Sequence, residues 1–411
     1  MTRPGRFALL PTHRSPGLRL AAAAVGVGLA VTGCTAEGSS NAGVAGETGT
    51  KKSTATQAAP QPVRLSANVD DKRGVAVSKV VKVAARDGEV TSVRVTSGRL
   101  EVRGQLDESG TWTSSTALEP GRSYEVEMTG TNSEGQKRTQ RSSFSTDDLT
   151  LDEQTYPSIA PLSGSEVGVG MPVIVRFDLP VQRKAAFEKQ LSVESSPQVR
   201  GTWHWVSDTE VHYRPKTFWK PGTEVKVEAD VNSVPAGNGI YGQESRSGSF
   251  TIGDSVISHV NLRTQQMRVT INGRLARTIP ITGGKAGFES RSGTKVIVEK
   301  FVEKRMDAAT TGIAPGDPEY YNIANVQYAM RVTYTGEFLH AAPWSVDSQG
   351  SANVSHGCIG MSTEDAKWLF ERSSIGDVVI TTGSDREIEY GNGYTDWDIS
   401  YAEYQEKSAL S

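Results

Sequence analysis

A chain of 411 residues is too long for a single hydrophobic core and should divide into several domains. Forty-two glycines, moderate proline and few long apolar periodic runs favour β-structure with many turns, and a formal net charge of −3 at pH 7 offers no basic footprint for a nucleic acid. Two cysteines, Cys34 and Cys358, cannot build a disulfide framework once one of them is modified, so an exported chain would carry a free thiol.

The N-terminus reads as a targeting segment. Arg3, Arg6, Arg14 and Arg19 form a basic region ahead of an apolar stretch over 20–31, which is shorter than the ~20 residues a spanning helix needs. Val31-Thr32-Gly33-Cys34 resembles a lipobox, so residues 1–33 are expected to be a lipoprotein signal peptide and Cys34 the lipidation site. The mature chain would then be exported and held at the membrane by an N-terminal lipid anchor, facing the cell wall, with no transmembrane helix. Residues 34–60, rich in Ser, Thr, Gly and Ala, have too little apolar surface to fold and are expected to form a flexible tether.

Two modules follow, at 61–148 and 149–254. Short alternating runs such as Tyr124-Glu125-Val126-Glu127-Met128 put apolar side chains on one face, and Pro120-Gly121 marks a turn. The same signals recur: Gly110-Thr111-Trp112 as Gly201-Thr202-Trp203, Pro120-Gly121 as Pro221-Gly222, and Phe144-Ser145-Thr146 as Phe250-Thr251-Ile252. Two immunoglobulin-like β-sandwiches are the economical reading, serving as spacers. Alternation places Trp203 and Trp205 in the core of the second module and His204 on its exposed face.

A third unit is expected over 255–383. Met267, Val269 and Ile271 alternate up to Asn272-Gly273 and the chain returns from Leu275, which predicts a type I′ hairpin. Gly283 to Gly287 predict a flexible loop, residues 306–321 a long flap, and residues 332–340 a strand that delivers His340 at its end. A short helix is expected after Ser362 as N-cap, with Ala366, Leu369 and Phe370 on one face, then a closing strand from Asp377. Residues 384–411, acidic and aromatic, show no periodicity of their own.

The chemistry concentrates in the stretch from His340 to Met361. A thiol nucleophile needs a base to form thiolate at neutral pH, and a developing oxyanion needs backbone N–H donors that a loop can aim at it. Ser355-His356-Gly357-Cys358 with His340 upstream supplies these, Gly357 letting consecutive amides converge and either imidazole able to take the proton. His340, Ser355 and the His-Gly-Cys that follows, together with Phe338-Leu339-His340, Ala342-Pro343-Trp344-Ser345 and Asp396-Trp397-Asp398-Ile399, resemble the L,D-transpeptidase family, cysteine enzymes that cross-link peptidoglycan. The whole layout is similar to its actinobacterial lipoprotein members. The resemblance implies a mainly β protein, with the two immunoglobulin-like sandwiches followed by a β-sandwich catalytic domain bearing a short helix.

It also implies roles. Cys358 would be the nucleophile and His340 the base, its ring oriented by the Ala341 carbonyl. The amides of His356, Gly357 and Cys358 would form the oxyanion hole, with the His356 side chain bracing the loop. A tetrapeptide stem would lose its terminal D-Ala to a thioester, which the side-chain amine of a second stem resolves into a 3→3 cross-link. Tyr321, Met306, Thr335, Gly336, Trp344, Ser355 and Gly360 are the candidate substrate-binding residues. Gly360 stands where many relatives have Asn, and Thr311 where some have a flap Tyr. By resemblance residues 384–411 pack Trp397 and Tyr401 against the folded domains, and β-lactams, carbapenems among them, are covalent inhibitors. No cofactor or metal is expected; some relatives hold calcium in the loop that here reads Pro235 to Gly239, which has no carboxylate. A carboxypeptidase or protein-to-peptidoglycan anchoring enzyme using the same thioester, and a non-catalytic wall-binding lipoprotein, are the alternatives.

Overall fold

The computed structural model describes residues 61–411; the expected signal peptide, Cys34 and the tether lie outside the described residues. The first sandwich pairs one sheet in the order Arg64–Ala67, Lys82–Arg86, Trp112–Ser114, Gly104–Leu106 with another in the order Leu100–Val102, Glu89–Ser97, Ser123–Thr131, Lys137–Ser145. Along Ser123–Thr131 the residues Tyr124, Val126 and Met128 are buried and their neighbours are not, as period-two alternation requires. Tyr124 stacks on Phe144 at 5.0 Å, and its hydroxyl accepts from the Glu119 N–H at 2.7 Å. That bond ties a strand start back to the chain just upstream, as the tyrosine corner does in immunoglobulin-type sandwiches.

The second sandwich sets Pro157–Ala160, Val173–Phe177, Glu210–Pro215 and Gly201–Trp205 against Glu166–Val167, Arg246–Ile252, Glu224–Ala229 and Leu191–Ser196. Trp203, Trp205, Phe177, Phe187 and Trp219 fill its core. The expectation for His204 is corrected: it faces away from the tryptophans but is only 1% exposed. The C-terminal segment covers that face of the sheet. His204 Nδ1 donates to the Tyr404 carbonyl at 2.8 Å, the Tyr404 ring stacks on the imidazole at 4.3 Å, and Tyr390 closes the other ring nitrogen at 2.7 Å. Arg214 lies over the rings of Trp397, Tyr401 and Tyr404, within 4.4 to 5.3 Å of their centroids. The segment also contains a short helix, Tyr401–Gln405, opened by a Ser400/Glu403 capping box, an element that a search for apolar periodicity passes over.

The third unit has a five-stranded sheet, Arg274–Pro280, Gln266–Ile271, Val256–Asn261, Val378–Thr382, Gly293–Val296, and a four-stranded sheet, Glu299–Asp307, Asn322–Arg331, Phe338–Ala341, Ile359–Met361. Met267, Ile279, Ile281, Leu339 and Met361 close the core between them. The expected hairpin is present: Asn272 and Gly273 both take left-handed φ, 50° and 77°, as a type I′ turn needs. Helix Thr363–Arg372 starts where Ser362 Oγ accepts from Asp365 N and buries Ala366 and Leu369. The strand expected over 332–340 is shorter, because Thr333 to Gly336 form a turn: the Glu337 N–H donates to Thr333 Oγ1 at 2.8 Å, and Gly336 takes φ 107°. Only Phe338–Ala341 is strand, so Thr335 and Gly336 belong to a corner.

The third unit is fused to the second sandwich. Gly168 and Gly170 donate to the carbonyls of Ile375 and Gly376, each at 2.8 Å, and Trp397 Nε1 donates to the Gly170 carbonyl at 2.7 Å. A Cβ on Gly168 would fall 2.2 Å from Asp377 Oδ1, so glycine is what permits the approach.

The buried His212 holds the C-terminal segment to this sheet, with Asp396 Oδ1 at 2.8 Å and Glu210 Oε1 at 2.6 Å. Burial alone would push the imidazole down, but Asp396 and Glu210 override it and bring His212 up to about 9. A raised folded-state pKa contributes stability that is complete below the unfolded value near 6.5 and lost as pH rises through about 9. Over pH 6.5–9 wild type should therefore lose about 3 kcal/mol more than His212→Gln. Denaturant titrations across that window measure the difference, and parallel slopes would contradict the coupling.

Candidate active site

Phe338–Ala341 and Ile359–Met361 pair in parallel, with Leu339 opposite Ile359 and His340 opposite Gly360. This register brings the base candidate on one strand and Cys358, just before the other, to one cleft of about 390 Å³. His356, Ser355, Met306, Tyr321, Trp344 and Gly360 line the same cleft. Thr335 and Gly336 instead line a second cavity of about 290 Å³, which shares Met306 and Tyr321 with the first. Thr335 is also tied to the C-terminal segment, its Oγ1 accepting from Asn392 Nδ2 at 2.8 Å. A larger open groove of about 650 Å³ on the second sandwich is lined by hydroxyls, carboxylates and a lysine, without a nucleophile and base together.

Cys358 is 8% exposed, and its thiol faces the Gly336 carbonyl at 3.6 Å. Burial pushes it up to about 12, with the Phe338 backbone N–H pulling modestly the other way, so at neutral pH the resting group is a thiol. His340 is 5% exposed, and burial lowers its pKa, opposed by its bond to Ala341. Its Nδ1 lies 2.7 Å from the Ala341 carbonyl oxygen, which only accepts. The proton of the neutral ring therefore sits on Nδ1, and Nε2 is left as the acceptor. The Trp344 ring stacks at 5.9 Å and fixes the imidazole plane.

The loop that carries Cys358 is templated by the glycine-rich segment, which is not the flexible loop its composition predicts. Gly284 and Ser355 form a bridge in which Lys285 N donates to the Ser355 carbonyl at 2.9 Å and Ser355 N to the Gly283 carbonyl at 3.0 Å. Ser290 Oγ accepts from Gly284 N at 2.9 Å and donates to the Gly357 carbonyl at 2.7 Å. A Cβ on Gly284 would meet the Phe288 carbonyl at 2.0 Å, so these glycines serve close backbone approach. Gly357 has φ 120°, yet an added Cβ would find nothing nearer than 3.6 Å; glycine is required there by conformation and not by space. Its N–H donates to Ser355 Oγ at 3.1 Å, and that hydroxyl donates to the Cys358 carbonyl at 2.6 Å. The Gly357 amide is thus committed inside the loop, while the His356 and Cys358 amides have no partner among the described residues. At Gly360 an added Cβ would lie 2.9 Å from Ala342 Cβ and 3.1 Å from Thr282 Cγ2, which explains a glycine at that position in this chain.

Beneath the Gly336 corner lies an ionic group that the sequence did not announce. Glu337 accepts from Lys295 Nζ at 2.9 Å and from Arg291 Nη1 at 2.8 Å, and Arg291 also reaches Glu389 at 2.6 Å. Lys295 and Glu337 are buried, so each needs the other to offset its desolvation. Lys295 places a charge inside the strand Gly293–Val296, beside the apolar run Val296-Ile297-Val298, and that conflict was the available signal. His356 contacts residues that sequence reasoning also passed over: Glu319 at 2.8 Å and the Phe288 ring at 4.7 Å.

Residues 255–381 match the family described as the L,D-transpeptidase catalytic domain, and residues 72–235 match the bacterial Ig domain family. L,D-transpeptidase 2 of Mycobacterium tuberculosis is 33% identical over 351 residues, covering 84% of this chain and 85% of that protein. L,D-transpeptidase 1 of the same organism is 33% identical over 226 residues, 55% of this chain and 84% of that protein. A solved L,D-transpeptidase in complex with imipenem is 33% identical and covers 55% of this chain and 97% of its own, with a TM-score of 0.49. With a catalytic-domain match that contains both His340 and Cys358, and identity of this level across most of both chains, the protein belongs to the L,D-transpeptidase family and is an L,D-transpeptidase.

Proposed function

We propose that the enzyme forms 3→3 cross-links in peptidoglycan through a thioester on Cys358. The observation that carries this reading is the neutral His340, its Nδ1 proton committed to the Ala341 carbonyl, lining one cleft with a buried thiol. Nε2 takes the Cys358 proton as sulfur attacks the carbonyl carbon between the third, diaminopimelate-type residue and the terminal D-Ala. The His356 and Cys358 amides receive the oxyanion, with Gly357 shaping the turn that aims them. Collapse breaks the C–N bond, D-Ala leaves as an amine with the proton returned by His340, and a thioester remains. The side-chain amine of a second stem then attacks the thioester, giving up a proton through His340 as sulfur departs, and the thiol is restored. A thiol held near 12 gains most from a base that acts as attack proceeds.

Met306, Tyr321 and Trp344 would grip the stem beside the reacting bond, Ser355 and Gly360 shape the cleft floor, and Thr335 and Gly336 border the second cavity. β-Lactams would acylate the same sulfur, as imipenem is found bound to a relative. The alternatives differ in the acceptor: water makes a carboxypeptidase, and a protein amine makes an anchoring enzyme. Mass analysis of products from a tetrapeptide muropeptide distinguishes them, a cross-linked dimer being the outcome this reading requires.

His340→Ala should lower acylation by a tetrapeptide donor by roughly two to four orders of magnitude with the fold retained. Alkylation of Cys358 across pH 6 to 9 at the same rate in this variant as in wild type would overturn the assignment of the base.

Anchoring forms the second part of the reading. A diacylated Cys34 would place two chains in the membrane, enough for stable attachment where one is marginal. The two sandwiches would then lie between the anchor and the catalytic unit and hold it toward the wall. Cys34→Ala should move the protein from the detergent phase to the aqueous phase and leave activity on soluble muropeptides unchanged. Continued membrane partitioning of that variant would remove the lipid anchor from the account.

A further inference from the structure

Residues 308–321 join strands Glu299–Asp307 and Asn322–Arg331 as a long segment bent at Gly312 and Gly316, both at left-handed φ of 91° and 99°. Its hydrogen bonds are almost all internal to the hairpin: Ala309 N to Asp307, Thr311 Oγ1 to the Ala308 carbonyl, Ala308 N to the Tyr321 carbonyl, Tyr320 N to the Asp317 carbonyl. Among the described residues, Glu319 alone in the segment makes hydrogen bonds beyond that hairpin, and it makes two. Its Oε2 accepts from His356 Nε2 at 2.8 Å and from Lys285 Nζ at 2.5 Å. The ammonium can only donate and the carboxylate only accepts, so the imidazole nitrogen that meets Glu319 carries a proton. A carboxylate between them is the acceptor that joins three segments: the glycine-rich template with Lys285, residues 308–321, and the loop of Cys358. Two residues beyond Glu319, Tyr321 packs with Met306 against Cys358 and also meets the His356 ring at 5.0 Å. The Lys285 and His356 bonds hold Glu319 below the usual carboxylate range, so it is ionised at neutral pH.

We propose that Glu319 is a positioning residue that latches residues 308–321, through His356 and Lys285, so that the Tyr321 and Met306 wall stays closed against Cys358. The latch acts on binding and access, because it touches neither sulfur nor His340. It fastens the wall to the loop that carries Cys358, so opening of the segment widens the approach to the sulfur. A stem peptide that seats under the wall favours the latched arrangement and is in turn held by it. The inference rests on Cys358 as the nucleophile.

Glu319→Gln and Lys285→Ala, each made in the full chain, test it by three readouts. Amide hydrogen exchange over 308–321 should quicken in both, with the strand Phe338–Ala341 unchanged. Iodoacetamide should alkylate Cys358 faster in both variants, by about three- to tenfold, as the wall opens. With a tetrapeptide donor, KM should rise and kcat should change little, and the charge-swapped pair K285E with E319K should recover part of the exchange protection. Unchanged exchange over 308–321 in Glu319→Gln would overturn the latch. So would alkylation and peptide acylation falling together by one factor with protection intact, which would place Glu319 in direct action on the thiol. The exchange and alkylation measurements need no peptide, so a donor inert toward the wild type counts against the proposed reaction and leaves the latch to be judged on the other two.

Discussion

A thiol that burial has pushed up to about 12 needs a base before it can attack, and in the proposed reaction, with His340 as that base, the third unit is arranged around this constraint. The base must be neutral, dry and turned the right way, and each condition has a visible cause. Burial lowers the His340 pKa, the Ala341 carbonyl takes the Nδ1 proton, and Trp344 stacks against the ring. The parallel pairing of Phe338–Ala341 with Ile359–Met361 then sets the two groups against one cleft. Low local dielectric raises the cost of the thiolate, and it also strengthens every fixed donor that meets negative charge as it forms.

Fixing that register takes more than the two strands. The glycine-rich template pairs with the loop before Cys358 from one side, and the Lys295–Glu337–Arg291 group stiffens the Gly336 corner from the other. Glu389 and Asn392 extend the second support into the C-terminal segment, which crosses to the second sandwich and ends against His204, His212 and Arg214. The corner that faces the thiol is therefore linked to a sheet of the neighbouring sandwich through one continuous stretch of chain. The second sandwich supports the catalytic unit structurally, a part that goes beyond spacing.

Elements built on local rules were legible from the sequence: the Asn272-Gly273 hairpin, the Ser362-capped helix, and the alternating strands such as Ser123–Thr131. Each depends on neighbours in sequence. Readings that failed depended on partners distant in sequence. His204 was expected at the surface because alternation describes one sheet and cannot see the segment that covers it. Gly283 to Gly287 looked flexible because composition does not reveal that another loop pairs with them. The strand expected over 332–340 ignored Thr333, whose hydroxyl captures the Glu337 amide and turns the chain. At the site, the cysteine and both histidines were visible from spacing and family resemblance, whereas Glu319 and Glu337 were not, since a lone charged residue has no pattern until its partner is placed; Lys295 showed only as a charge in an apolar strand, without its partner.

In the proposed reaction one sulfur carries the acyl group. Intact-protein mass spectrometry of the enzyme mixed with a tetrapeptide donor, followed by peptide mapping, tests it most directly. A transient adduct equal to the donor less D-Ala is expected, confined to the peptide that contains Cys358 and absent from Cys358→Ser. Turnover with no such adduct under rapid quench, or an adduct that survives in Cys358→Ser, would contradict it.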